Sequence, residues 1–126
     1  MDFQIIALIV GIIVVALITS VIWIKKGTHS KKEYYPGTNI VRRIVKYKRN
    51  EKNGIEEVFY RTGELNKKKI WVQGRLEGVC ETFYKNGSVC IRCHYKKGVL
   101  DGSWIAYSMN GSIMESIEYK NGEKVG

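Results

Sequence analysis

The residues that most suggest chemistry are Cys90-Ile91-Arg92-Cys93-His94, a Cys-x-x-Cys-His run of the kind that attaches haem covalently. The same cysteines could open a zinc knuckle. The local pattern argues against both. Val89, Ile91, Cys93 and Tyr95 alternate with Cys90, Arg92 and His94, a period of two that predicts a β-strand. On a strand, residues three apart point to opposite faces and stand roughly 10 Å apart. Two sulfurs so placed reach neither one porphyrin nor one tetrahedral metal. Cys80 reads as a small apolar filler, and three cysteines, an odd number, fit free thiols. No cofactor or metal is expected.

Acid–base and nucleophilic chemistry have as little footing. His29 and His94 have no Ser or Cys partner implied by spacing, and Glu56, Glu57, Glu64, Glu77, Glu81 and Asp101 are scattered. No glycine-rich loop leads into a soluble helix to cradle phosphate. A non-enzyme is expected. Binding chemistry fares better, because Lys67, Lys68 and Lys69 lie beside Trp71 and are followed by Arg75, basic residues interleaved with an aromatic. From residue 53 onward 11 basic side chains face nine acidic ones, a balance that disfavours nucleic acid. A small anionic ligand or a protein suits the same patch. The candidate binding residues are Tyr60, Lys67, Lys69, Trp71, Arg75, Tyr84, Arg92, Tyr95 and Trp104.

These residues are positioned by a repeat. Gly63, Gly87 and Gly111 are spaced by 24 residues, as are Gly74, Gly98 and Gly122, and Gly78, Gly102 and Gly126. Phe59, Phe83 and Tyr107 keep the same phase, as do Trp71, Tyr95 and Tyr119, and Leu65, Val89 and Ile113. Periods of this length mark stacked supersecondary units. Asn86-Gly87 predicts a two-residue hairpin turn with positive φ at both residues, and Lys97-Gly98 predicts a second turn. Each unit then supplies two short strands, and the units stack into an antiparallel meander. Units are expected at 59–82, 83–106 and 107–126. Residues 34–58 are expected to form a worn first copy, with Tyr35 under Phe59 and with Asn39 and Asn50 in place of glycines.

Phe83, Tyr84, Asn86, Gly87, Tyr95, Gly98 and Gly102, with their counterparts in the flanking units, resemble the MORN repeat (membrane occupation and recognition nexus), and more closely its bacterial variant in YwqK-type antitoxin-like proteins. The likeness covers roughly residues 35–126. It departs at Tyr107-Ser108, where an extra residue before Asn110 is expected to shift the aromatic pair. The resemblance implies an all-β, single-layer, elongated sheet that acts in binding, scaffolding or membrane association, and it carries no catalytic residue.

Ahead of the repeats, Phe3–Ile24 has no charged residue. As a helix its 22 residues reach roughly 33 Å, enough to cross a hydrocarbon core. Residues 1–26 are expected to be a transmembrane helix with its flank, and 27–33 a basic tether to the domain at 34–126. Residues 25–52 carry ten Lys/Arg against Glu33 and Glu51, which places the repeats on the cytoplasmic side of the cell membrane. Trp23, Lys25, Lys26, Lys31, Lys32, Arg42 and Arg43 are expected at the membrane surface, in contact with anionic lipid. The expected role is a membrane-anchored β-repeat binding module, as a YwqK-like antitoxin or a scaffold, with a protein partner and self-association. The alternative is an oligomeric effector that disrupts the bilayer when the repeats sense a partner or nucleotide.

Overall fold

The computed structural model describes residues 2–126, with side chains described outside 21–26. The anchors expected at Trp23, Lys25 and Lys26 therefore lie outside the described residues. Helix α1 spans Phe3–Gly27, and its described side chains are exposed up to Ser20. Phe3–Ser20 is long and apolar enough to cross a membrane. Its two hydroxyls are satisfied within the helix, Thr19 donating to the Ala16 carbonyl and Ser20 to the Leu17 carbonyl. That arrangement leaves neither hydroxyl donor unsatisfied, as a hydrocarbon environment would require.

The remainder is an antiparallel meander: β1 (Thr28–Tyr34), β2 (Val41–Lys48), β3 (Glu51–Phe59), β4 (Leu65–Val72), β5 (Arg75–Leu76), β6 (Gly78–Phe83), β7 (Val89–Lys96), β8 (Val99–Tyr107), β9 (Ile113–Lys120) and β10 (Glu123–Lys124). Spatial order follows chain order, with β5 and β6 forming one strand interrupted at Glu77. The expected all-β architecture is present. The expected tether is not, because residues 28–34 form β1 and pair with β2 from Thr28↔Lys48 to Tyr34↔Val41. In a single-layer sheet an edge strand needs no apolar stripe, and its lysines discourage further pairing.

Two kinds of turn alternate along opposite rims. On the near rim, beside the end of α1, Arg49-Asn50, Gln73-Gly74, Lys97-Gly98 and Asn121-Gly122 all have positive φ at both residues, as a type I′ hairpin requires. On the far rim the Asn86-Gly87 turn is a different kind. Only Gly87 has positive φ there, and the Tyr84 amide donates to the Ser88 carbonyl while the Gly87 amide donates to Tyr84. This is a three-residue loop, a type I turn closed by a left-handed glycine. The loop at 108–112 repeats the same two bonds, so there is no extra residue before Asn110, and Ser108 simply replaces Tyr84. The first far-rim loop is one residue longer. The Tyr35 amide bonds to Ile40, and Pro36-Gly37 makes a turn in which Gly37, not Asn39, takes positive φ. Tyr35 is thus the counterpart of Tyr60 rather than of Phe59.

Both rims are stapled between units. On the far rim the Tyr35, Tyr60 and Tyr84 hydroxyls donate to the carbonyls of Phe59, Phe83 and Tyr107 at 2.7–2.8 Å. On the near rim the amides of Arg49, Gly74, Gly98 and Gly122 donate to the carbonyls of Gly27, Lys52, Leu76 and Leu100. Burial is concentrated in one cross-strand row, where Val45, Glu56, Cys80 and Cys93 are the buried side chains among the described residues. Gly102 has φ +113°, and an added Cβ would lie 3.2 Å from His94 Cβ, whereas Gly87 faces open space. Gly102→Ala is therefore expected to cost about 1–3 kcal/mol and more than Gly87→Ala, measured by denaturant unfolding of the full chain in micelles.

Candidate functional site

The register sorts side chains into two faces. The face bearing Val45 also carries Glu56, Lys69, Cys80, Cys93, Trp104 and Ile117, and nearer the far rim Glu33, Arg43, Lys67 and Ile91. Toward the near rim it carries the aromatic column Tyr47, Trp71, Tyr95 and Tyr119. Lys52, Leu76, Leu100 and Lys124 stand in or beside this line. His29 extends the column, stacked on Tyr47 with ring centroids 5.3 Å apart.

Charge gathers around Glu56, which is 2% exposed. Its carboxylate accepts from the Trp71 indole at 2.6 Å and pairs with Arg43 at 3.3 Å and Lys52 at 3.4 Å. Lys52 also sits 4.2 Å over the Trp71 ring. Arg43 reaches on to Glu33 at 2.8 Å, leaving its Nε buried without a partner. Desolvation raises the pKa of Glu33, yet Arg42 and Arg43 hold it below the ordinary carboxylate value. A charge this buried is tolerated only when surrounded by partners.

Of the candidate binding residues, Lys67, Lys69, Trp71, Tyr95 and Trp104 share the Val45 face. Arg92 lies on the opposite face, tied to Glu81 at 2.8 Å, and the hydrogen bond to that carboxylate raises its pKa. The Tyr60 and Tyr84 hydroxyls are occupied in the rim staples. Arg75 lines an open groove of about 750 Å³ between near-rim turns, with Lys48, Arg49 and Lys97 against Glu51 and Glu77. Among the expected membrane-surface residues, Lys31 and Lys32 point to opposite faces of β1. Arg42 and Arg43 start β2 at the far rim, engaged with Glu33, because the strand carries them away from the helix end. Cys90 and Cys93, three apart on β7, fall on opposite faces.

Sequence reasoning missed the Glu56 hub and the near-rim groove. The repeat alignment held a signal for the first, since Glu56 occupies the column of Cys80 and Trp104. The groove depends on which turns share a rim, which the register alone reveals.

Residues 76–97 and 100–121 match the family model of the MORN repeat variant. Each matched segment starts in the second strand of one unit, crosses a far-rim loop and the next strand, and ends in a near-rim turn. No curated protein and no solved structure matches the chain. The MORN variant segments contain Tyr84, Arg92, Tyr95 and Trp104, while Lys67, Lys69, Trp71 and the Glu56 hub precede them. The hub is thus a property of the earlier units. Trp71→Phe deletes the indole donor to Glu56 and is expected to cost about 1–3 kcal/mol in denaturant unfolding. Tyr95→Phe, at the equivalent MORN position, is expected to be near neutral.

Proposed function

We propose that the chain is a membrane-anchored, non-enzymatic binding module, held by α1 at the cytoplasmic face with its near rim against the bilayer. One observation carries this reading: the Arg49 amide donates to the Gly27 carbonyl at 2.9 Å, so α1 ends at the rim of the basic type I′ turns. Lys48, Arg49, Arg75 and Lys97 stand on that rim. The line of Tyr47, Trp71, Tyr95 and Tyr119 runs just inside it, and Tyr and Trp are the residues that favour the headgroup layer. Each basic side chain near an anionic surface adds about 1 kcal/mol. The Lys/Arg excess that follows α1 supports the cytoplasmic orientation.

Lys67, Lys69 and Trp104, further from that rim, together with the strand edges, are then available to a protein partner. A YwqK-like antitoxin is the specific form of this role, and rescue of cells from a neighbouring gene's product would identify it. The effector reading has one observation in its favour. β9 is covered over only two residues by β10, and its Ile113 and Met114 are 63% and 69% exposed, a template for another chain. Toxicity that requires residues 3–24 would decide for the effector.

In nanodiscs containing anionic lipid, near-rim amides at 47–50, 73–76 and 97–100 are expected to gain hydrogen-exchange protection relative to zwitterionic nanodiscs. Far-rim amides at 60–64 and 84–88 are expected to stay unchanged. Added salt should remove the difference. Equal protection of both rims would refute the orientation.

A further inference from the structure

Cys80 and Cys93 are direct cross-strand partners on β6 and β7. Directly opposed residues of an antiparallel pair have Cα atoms about 4.5–5.5 Å apart, inside the window a disulfide needs. Both side chains lie on the Val45 face, and the Cys93 sulfur sits 3.7 Å from the Cys80 carbonyl oxygen. They are 9% and 5% exposed, buried by in-plane neighbours rather than by a second layer. An oxidant of near-water size therefore has a short path from the open face. Both thiols are free. Nothing in the repeat requires cysteine here, since the equivalent row positions hold Val45, Glu56, Trp104 and Ile117.

We propose that Cys80 and Cys93 form a dithiol site oxidised by hydrogen peroxide to an intramolecular disulfide across β6 and β7. The Cys80 thiolate attacks the peroxide, the O–O bond breaks, and Cys80 sulfenic acid forms as hydroxide leaves and is protonated to water. The Cys93 sulfur then attacks the Cys80 sulfur, the S–S bond forms, the S–O bond breaks, and a second water leaves with the Cys93 proton. Two electrons pass from the two sulfurs to the peroxide, which is reduced to two waters.

The surroundings assign the attacking role to Cys80. Hydrogen bonding from the Cys93 thiol, opposed by burial and assisted by Lys69 and Lys67 on the same face of β4, brings the Cys80 thiol down to about 7. The same hydrogen bond and burial push Cys93 up, so it stays protonated until the second step. A thiolate in an electropositive, partly open setting is the reactive form. Cys90, on the opposite face of β7, serves as the internal control.

The test treats the reduced full-length chain in nanodiscs with hydrogen peroxide, counts thiols, and maps linkages by non-reducing peptide mass spectrometry. The expected result is a fall from three thiols to one in the wild type and from two to none in Cys90→Ser, with a Cys80–Cys93 linked peptide in both, reversed by dithiothreitol. Cys93→Ser is expected to halt at Cys80 sulfenic acid, trapped by dimedone. Unchanged thiol counts, trapped sulfenic acid in the wild type without linkage, or linkage through Cys90 or between chains would each overturn the proposal.

Discussion

A sheet with both faces open has no opposing layer to bury against, so its cohesion must act within its own plane. The tyrosine hydroxyls of the far rim meet this constraint. Each reaches a carbonyl of the following unit, and each such bond contributes on the order of 1 kcal/mol. The near-rim amides do the same work on the other side, locking each turn to the strand that opens from the preceding near-rim turn, or for Arg49 to the end of α1. Between the rims runs one buried row, in which Val45, Cys80 and Cys93 supply the apolar contact. Neighbouring units are thereby held at three heights, which suits a stack whose stability is a sum over nearest neighbours.

Glu56 shows how much chemical variety such a row tolerates. A carboxylate occupies a position that is cysteine or tryptophan in later units, and it is accommodated because Arg43, Lys52 and the Trp71 indole converge on it. Replacing an ion cluster of this kind by apolar side chains is often neutral in stability, so its presence sets the identity of the early units more than their cohesion. The later units, on which the MORN variant match falls, carry a neutral row of Cys80, Cys93, Trp104 and Ile117.

Much of the fold was legible because turn glycines and alternating apolar residues act locally. The 24-residue phase, the strand alternation in 89–96 and the near-rim turn at Lys97-Gly98 all follow from local backbone preference. The errors share one cause. Asn86-Gly87 suits a type I′ turn, yet the Tyr84–Ser88 bond lengthens the loop, a decision made by strand register rather than by the dipeptide. β1 was hidden because its THSKKEY sequence has the composition of a linker, and only its partner strand makes it regular. Of the candidate site, the aromatic column of Trp71, Tyr95 and Tyr119 was readable from the 24-residue phase. The Glu56 hub shows in the sequence only as a carboxylate in the column of Cys80 and Trp104, and the shared rim of Lys48, Arg49, Arg75 and Lys97 arises from long-range pairing that no local pattern encodes.

The junction between α1 and β1 has a mechanical consequence. No slack separates them, since Gly27 closes the helix, Thr28 opens the strand, and the Gly27 carbonyl is held by Arg49. With strands about 4.8 Å apart, the sheet extends roughly 40 Å from β1 across to β10. It is a boom fixed to a mast. Rotation of the mast about its own axis would sweep the tip through a wide arc, so a small twist of α1 becomes a large change in what the outermost units can touch.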